Sequence, residues 1–130
     1  METKDITFVI VTFHSENVIY DCLDLLPEDS KKIIIENSKN LNLKENLEKK
    51  YPNLKCYLMN ENLGYGRANN VGINLSHTEF VFILNPDVRF KSSDVNKFLH
   101  IISSEKFVIA APIENEEVKF SLNQNNFEDV

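Results

Sequence analysis

Five short apolar runs recur along the chain at residues 6–13, 32–36, 55–59, 80–84 and 107–111. All are rich in Ile, Val, Phe or Leu, and they show little alternation between apolar and polar positions. Continuous apolar runs of this length are typical of strands that are buried on both faces of a parallel sheet. The pattern therefore predicts five such strands.

Apolar residues at helical spacing lie between these runs and predict four helices. The four stripes fall within residues 18–26, 43–51, 68–75 and 95–102, with Ser15 as the predicted N-cap of the first helix and Ser92 or Ser93 as that of the fourth. Alternation of strands and helices predicts right-handed βαβ units. The expected fold is α/β, with an open, mostly parallel sheet, helices on both faces and a Rossmann-like strand order of 3-2-1-4.

A length of 130 residues fits one domain. We expect the α/β domain to span residues 1–112. From residue 113 onward the chain is richer in Asn, Glu and Gln. Residues 113–130 are therefore predicted to form a polar C-terminal tail, either frayed or an edge piece that lacks its partner.

Charge and cysteine content narrow the class of protein. The net charge of −6 leaves no basic surface for nucleic acid or for an anionic membrane. Cys22 and Cys56 lie in apolar patterns and are expected to be buried free thiols, which fits a cytoplasmic protein. The apolar run at residues 6–13 is too short for a signal peptide or a transmembrane segment, so we expect neither.

Polar residues follow the predicted strands, where an open α/β sheet binds its ligands. Asp87 comes after the fourth strand and after Pro86, which stiffens the turn. A carboxylate in this position can bind Mg²⁺ or Mn²⁺ together with substrate phosphates. The alternative is an ordinary turn acid before a helix.

Two further features follow the second and third strands. Gly64 and Gly66 allow close backbone approach to a ligand, and the helix predicted to open at Asn69-Asn70 favours anions at its N-terminus. Their alternative is an ordinary loop, with Gly72 allowing close helix–sheet packing. Glu36 could accept a hydrogen bond from the N3–H of a uracil or thymine ring, or could be a solvated acid at a strand end.

Four sequence blocks, at residues 9–16, 34–38, 62–72 and 84–88, occur in the order and spacing of a known family. The chain resembles a family 2 glycosyltransferase of GT-A fold, most closely the rhamnosyltransferase type, over about residues 6–112. The resemblance implies transfer of a sugar from a UDP- or dTDP-sugar to a glycan or lipid-linked acceptor hydroxyl. It also implies a role in cell-surface polysaccharide or glycan synthesis.

The resemblance also implies roles for individual residues. Thr12 and Phe13 would contact the nucleoside, and Glu36 stands where the family usually has a base-binding Asp. A divalent metal, Mg²⁺ or Mn²⁺, would be held by Asp87, because Asn85-Pro86-Asp87 replaces the more usual Asp-x-Asp. The remaining nucleotide-sugar-binding residues would be Asn62, Gly64, Gly66, Arg67, Asn70 and Asn85.

Family members generally continue into a second half that binds the acceptor and supplies a catalytic base. No residue here matches that base motif, so no catalytic residue is assigned, and the tail is expected to begin the acceptor half. The alternative function is a truncated, non-catalytic nucleotide-binding module. A receiver domain is disfavoured because Thr12, Phe13 and His14 stand where it needs acids. The expected location is the cytoplasm, with possible peripheral attachment at the inner membrane face.

Overall fold

The computed structural model describes residues 2–103, 110–113 and 119–122. A short 3-10 turn at Thr3–Asp5 precedes the first strand. The elements are β1 (Ile6–Thr12), α1 (Ile19–Asp24), β2 (Lys31–Glu36), α2 (Leu41–Lys50), β3 (Leu54–Leu58), α3 (Gly64–Leu75), β4 (Phe80–Leu84), α4 (Ser92–Ser103), β5 (Ala110–Ile113) and β6 (Lys119–Leu122). The first four predicted strands are all present.

Strands β1 to β4 form a parallel sheet in the order β3-β2-β1-β4, as predicted. In the register, Thr12 pairs with Glu36, and Ile10 pairs with Leu84. All four strands therefore end at the same edge of the sheet, which we call the carboxyl edge. The α/β, Rossmann-like class is confirmed.

Burial explains why the central strands have continuous apolar sequences. All seven residues of β1 are buried, and so are five of the six residues of β2. The outer strand β4 is only partly covered within the described residues, and Ile83 is 45% exposed. Central strands with both faces covered need apolar side chains at every position, whereas outer strands tolerate exposure.

Helix α3 packs closely on β1 and β2. Ala68 lies in the same cluster as Val9 and Ile35. A Cβ atom placed on Gly72 would lie 2.3 Å from Val9 Cγ1, so only glycine allows the helix to approach this closely. The predicted packing role of Gly72 is therefore confirmed.

The chain divides into one compact unit at Glu2–Arg89 and a second from Phe90 onward. Within the second unit, β5 pairs antiparallel with β6 in a separate two-stranded sheet. The prediction that the fifth run joins the parallel sheet was therefore wrong. Pro112 lies in β5 and has no amide proton, which favours an edge strand.

Parts of the predicted C-terminal region lie outside the described residues. These are residues 107–109 of the fifth apolar run and residues 114–118 and 123–130 of the tail. In the described part of the tail, β6 pairs with β5, so the expectation of a frayed tail or of an edge piece without a partner was wrong there. The boundary at residue 112 stays a prediction.

Three helix starts differ from the predictions. Ser15 does not cap α1 through its side chain: its carbonyl accepts from the amide of Ile19 at 3.0 Å, while its hydroxyl bonds to the Phe13 backbone. Helix α4 starts at Ser92 itself, and the Asp94 carboxylate accepts from the Lys91 amide at 2.9 Å.

Helix α3 begins at Gly64 and not at Asn69, so both glycines of the predicted loop are helical. The prediction treated glycine as a loop residue. Here Gly64 starts the helix with φ of 76°, a conformation that disfavours any other residue. The helix is thus one turn longer than its apolar stripe indicates.

Candidate functional site

The carboxyl edge brings the end of β1 against the end of β2. The Thr12 side chain is fully buried, and its hydroxyl donates to Glu36 Oε1 at 3.2 Å. The amide of Asn37 donates to the Thr12 carbonyl at 2.8 Å, which extends the strand pairing by one residue. Two of the predicted site residues, Thr12 and Glu36, therefore contact each other.

Glu36 has no exposed surface, and its carboxylate accepts four hydrogen bonds. Oε1 accepts from the hydroxyls of Thr12 and Ser38, at 3.2 and 2.6 Å. Oε2 accepts from the amides of Ser38 and Asn40, at 2.9 and 2.8 Å. Glu36 is therefore not a solvated acid, and its carboxylate has no free acceptor position. Its hydrogen bonds connect β1, β2 and the start of α2.

Asn37 links the same edge to α3, a role that the sequence patterns did not reveal. Its Oδ1 accepts from the Leu63 amide at 3.3 Å, and its Nδ2 donates to the Gly64 carbonyl at 3.3 Å. The side chain is 4% exposed. A buried amide placed directly after a strand at the ligand-binding edge could have drawn attention to it.

The loop between β1 and α1 carries an exposed aromatic side chain. Phe13 is 51% exposed, and its ring lies edge-on to His14, with the centroids 4.4 Å apart. His14 has a left-handed backbone with φ of 50°, and its amide donates to the Ser38 hydroxyl at 3.1 Å. Phe13 is therefore positioned to stack on a planar ligand.

The first turn of α3 is open to solvent. Asn62 Oδ1 accepts from the Gly64 amide at 2.9 Å, and a Cβ on Gly66 would meet no atom within 4 Å. The exposed residues of this segment are Asn62, Gly64, Tyr65, Gly66, Arg67 and Asn70. The amides at the start of this twelve-residue helix are a suitable environment for an anion.

The turn after β4 presents Asn85 and Asp87 to solvent. The Val88 amide closes the turn on the Asn85 carbonyl at 3.2 Å. Within residues 2–103, nothing donates to the Asp87 carboxylate. The nearby guanidinium of Arg89 instead pairs with Asp21 on α1 at 3.7 Å.

Cys22 of α1 lies beneath this turn, with its thiol 3.9 Å from the Asn85 carbonyl. Burial and, to a smaller extent, the charge of Asp87 raise the pKa of Cys22 to about 11, against the opposing effect of Arg89. Both cysteines are buried free thiols, as predicted. Burial raises the pKa of both thiols, which disfavours the thiolate form that binds metals.

The donor set fits a hard divalent cation held by few protein ligands. In the described part of the chain, no three His, Cys, Asp or Glu side chains come together as a metal site. Among the described residues none donates to the two Asp87 oxygens, and Mg²⁺ and Mn²⁺ accept such ligands together with water and phosphate oxygens.

Two further observations concern parts of the structure outside the predicted site. A cavity of about 480 Å³ lies at the opposite end of the sheet, lined by residues including Lys31, Lys55 and Thr78. None of the predicted site residues lines it. In the described residues, no helix is long and apolar enough to cross a membrane.

The fold is similar to that of two solved structures. A S. aureus TarS structure, described as 1-349, has a TM-score of 0.65 at 19% identity and matches 76% of this chain and 32% of its own. A second S. aureus TarS structure has a TM-score of 0.63 at 20% identity, with coverage of 76% and 19%. The chain thus spans about a third or less of these structures. A search of curated proteins found no match.

The family assignment comes from the amino-acid sequence. A family model described as "Glycosyl transferase family 2" matches residues 7–127, which is nearly the whole chain. The match extends beyond the four motif blocks into α4, β5 and β6. The chain belongs to glycosyl transferase family 2.

Proposed function

We propose that this chain is the nucleotide-sugar-binding half of an inverting glycosyltransferase that uses a UDP- or dTDP-sugar. The observation that carries the proposal is the shared carboxyl edge, where the β1–α1 loop, the first turn of α3 and the β4 turn all begin. Ligands of open α/β sheets bind at this edge. An anionic ligand with a planar group at one end would match the helix amides and the exposed aromatic ring of this edge.

The β1–α1 loop is the proposed nucleoside subsite. Phe13 is half-exposed and suited to stacking on a base, while Thr12 anchors the loop from inside. Residues Asn62 to Asn70 supply the diphosphate and sugar side. There Gly64 and Gly66 leave the backbone accessible, and Arg67 adds a positive charge to the exposed surface.

Asp87 is the proposed metal ligand, with Asn85 beside it on the same turn. A nucleoside diphosphate brings two to three negative charges, whereas Arg89 is already paired with Asp21. A divalent cation on Asp87 would offset the charge that develops on the departing diphosphate. Asp87 is free of donors within residues 2–103 and can therefore accept the cation without breaking a contact.

In the complete reaction, an acceptor hydroxyl attacks the anomeric carbon and the nucleoside diphosphate leaves. A general base must take the hydroxyl proton. We assign no such base to the described residues and propose that the acceptor half supplies it. The acceptor would be a glycan or lipid-linked hydroxyl, in cell-surface polysaccharide synthesis at the inner face of the membrane.

A second candidate function is a nucleotide-binding module without catalysis. It needs only the donor site at the carboxyl edge, and no general base is assigned within the described residues. The two functions share the donor site and differ only in turnover. Release of free sugar or transfer to any acceptor would favour the enzyme.

The proposed function is tested by calorimetric titration with UDP and dTDP, each with Mn²⁺ and with chelator. We expect saturable binding of a pyrimidine diphosphate that is stronger with Mn²⁺. ADP serves as the control for nonspecific diphosphate binding. No binding of any pyrimidine diphosphate with Mn²⁺ would contradict the proposal.

A further inference from the structure

The Glu36 carboxylate has no unused acceptor position. A carboxylate offers about four lone pairs, two on each oxygen. Oε1 accepts from Thr12 and Ser38 hydroxyls, and Oε2 accepts from Ser38 and Asn40 amides. An N3–H of a pyrimidine would be a fifth donor to a group that has no exposed surface.

Two of the groups held by Glu36 continue to the loop that carries Phe13. The Ser38 hydroxyl accepts from the His14 amide at 3.1 Å, next to Phe13. The Asn40 side chain donates to the Glu16 carboxylate, in the same loop. Glu36 is therefore linked to the β1–α1 loop in two ways. One link runs through the Ser38 hydroxyl, and the other runs through Asn40.

The loop needs such support because its backbone is strained. His14 has φ of 50°, in the left-handed region that non-glycine residues adopt at a cost. The Ser38 hydroxyl holds the amide of this residue. Loss of that bond would allow His14 to relax, and the adjoining Phe13 ring would move with it.

We propose that Glu36 is a positioning residue, which sets the nucleoside-facing β1–α1 loop through Ser38 and Asn40 and does not read the base itself. The inference rests on the proposed nucleotide site. Ser38 then supports nucleotide affinity, although the motif patterns gave it no role. The hydrogen bond from the base N3–H is then accepted by another group or by water.

The test compares UDP with N3-methyl-UDP, which lacks the N3 proton, by calorimetry with Mn²⁺. The variants are Ser38→Ala, Ser38→Thr and the isosteric Glu36→Gln. Ser76→Ala is the matched control at the other end of the sheet, where the Ser76 hydroxyl lies 3.4 Å from the Thr78 hydroxyl. Thermal unfolding checks that each variant is folded.

We expect Ser38→Ala to weaken both ligands by the same factor, about tenfold, as for a lost contact of 1.4 kcal/mol. Ser38→Thr keeps the hydroxyl and should restore affinity, and Ser76→Ala should bind like the parent chain. Glu36→Gln should leave the ratio of the two affinities unchanged, because the proposed role of Glu36 includes no contact with the N3–H. The Gln amide can donate to the Thr12 and Ser38 hydroxyls, which keeps the loop supported.

Three outcomes would overturn the inference. Unchanged affinity in Ser38→Ala shows that the bridge does not position the loop. A change in the UDP to N3-methyl-UDP ratio in Glu36→Gln shows that Glu36 reads the N3–H. If the parent chain binds no UDP at all, the proposed function fails and this inference fails with it, whereas the first two results leave the proposed function standing.

Discussion

At the residue scale, two glycines of α3 differ in the space available for a side chain. A Cβ on Gly72 would lie 2.3 Å from Val9 Cγ1 in the packed interface with β1, whereas one on Gly66 would meet nothing within 4 Å. Val9 has no exposed surface and a β-branched side chain, so it cannot move away easily. The same residue type therefore serves close packing at one position and open backbone at the other.

Gly72→Ala should lower the free energy of unfolding by about 1–3 kcal/mol, the usual cost of overpacking a core. Gly66→Ala is the matched variant and should raise it by about 0.5–1 kcal/mol, because alanine loses less backbone entropy in a helix. Urea denaturation measures both. Equal effects of the two substitutions would contradict the packing described for α3.

The buried Cys56 thiol gives a pH dependence with a definite sign. Burial raises its pKa from 9.0 to about 12, with Lys44 opposing and Glu36 and Glu48 adding to the shift. The folded state favours the neutral thiol, so the stabilisation is complete below pH 9.0 and is lost as pH rises towards the folded value.

Above pH 9.0 the free energy of unfolding should fall, and Cys56 should contribute a slope of about 1.4 kcal/mol per pH unit. Cys56→Ala removes that contribution and should give a shallower slope, whatever its effect at neutral pH. Urea denaturation across this pH range provides the measurement. Parallel slopes for the two proteins would show that Cys56 titrates in the folded state as it does in the unfolded one.

At the scale of elements, helix boundaries depended on side chains that the apolar pattern does not register. Helix α2 was found from Leu43 and Leu47, both buried, but its cap is Asn40, whose Oδ1 accepts from the Leu43 amide at 2.9 Å. Ser15 looked like a cap and instead bonds to Phe13. Periodicity locates the middle of a helix, whereas its ends depend on local hydrogen bonds.

Asn40→Ala should destabilise the protein by about 1 kcal/mol or more, because the Leu43 amide loses its acceptor and the Glu16 carboxylate loses a donor. Asn42→Ala is the control, since Asn42 is exposed within the same helix. Thermal unfolding of both variants measures the difference. A cost in Asn42→Ala as large as that in Asn40→Ala would contradict the capping role.

At the scale of the molecule, the strand order was predictable because burial leaves a strong sequence signal. Both central strands, β1 and β2, need apolar residues on both faces, and the polar turns mark where strands end. The fifth run carried the same apolar signal, yet β5 pairs with β6, because composition does not encode which partner a short strand finds.

The sequence was sufficient to predict which polar residues lie at the carboxyl edge, but not the contacts that these residues make. Phe13 and Asp87 are exposed at the carboxyl edge, where a motif can be recognised from sequence. The burial of Glu36 and the links made by Asn37 and Ser38 depend on distances between separate loops. A sequence pattern within one loop does not show how far that loop lies from the others.

The central claim is that a nucleoside diphosphate binds at the carboxyl edge through a metal held by Asp87, and paired titrations test it most directly. UDP affinity is measured with Mn²⁺ and with chelator for the parent chain, for Asp87→Asn and for Glu79→Gln, an exposed acid preceding β4 at its other end. We predict that Mn²⁺ strengthens binding to the parent chain and to Glu79→Gln, but not to Asp87→Asn. Metal-independent binding by the parent chain, or full metal dependence in Asp87→Asn, would contradict the account.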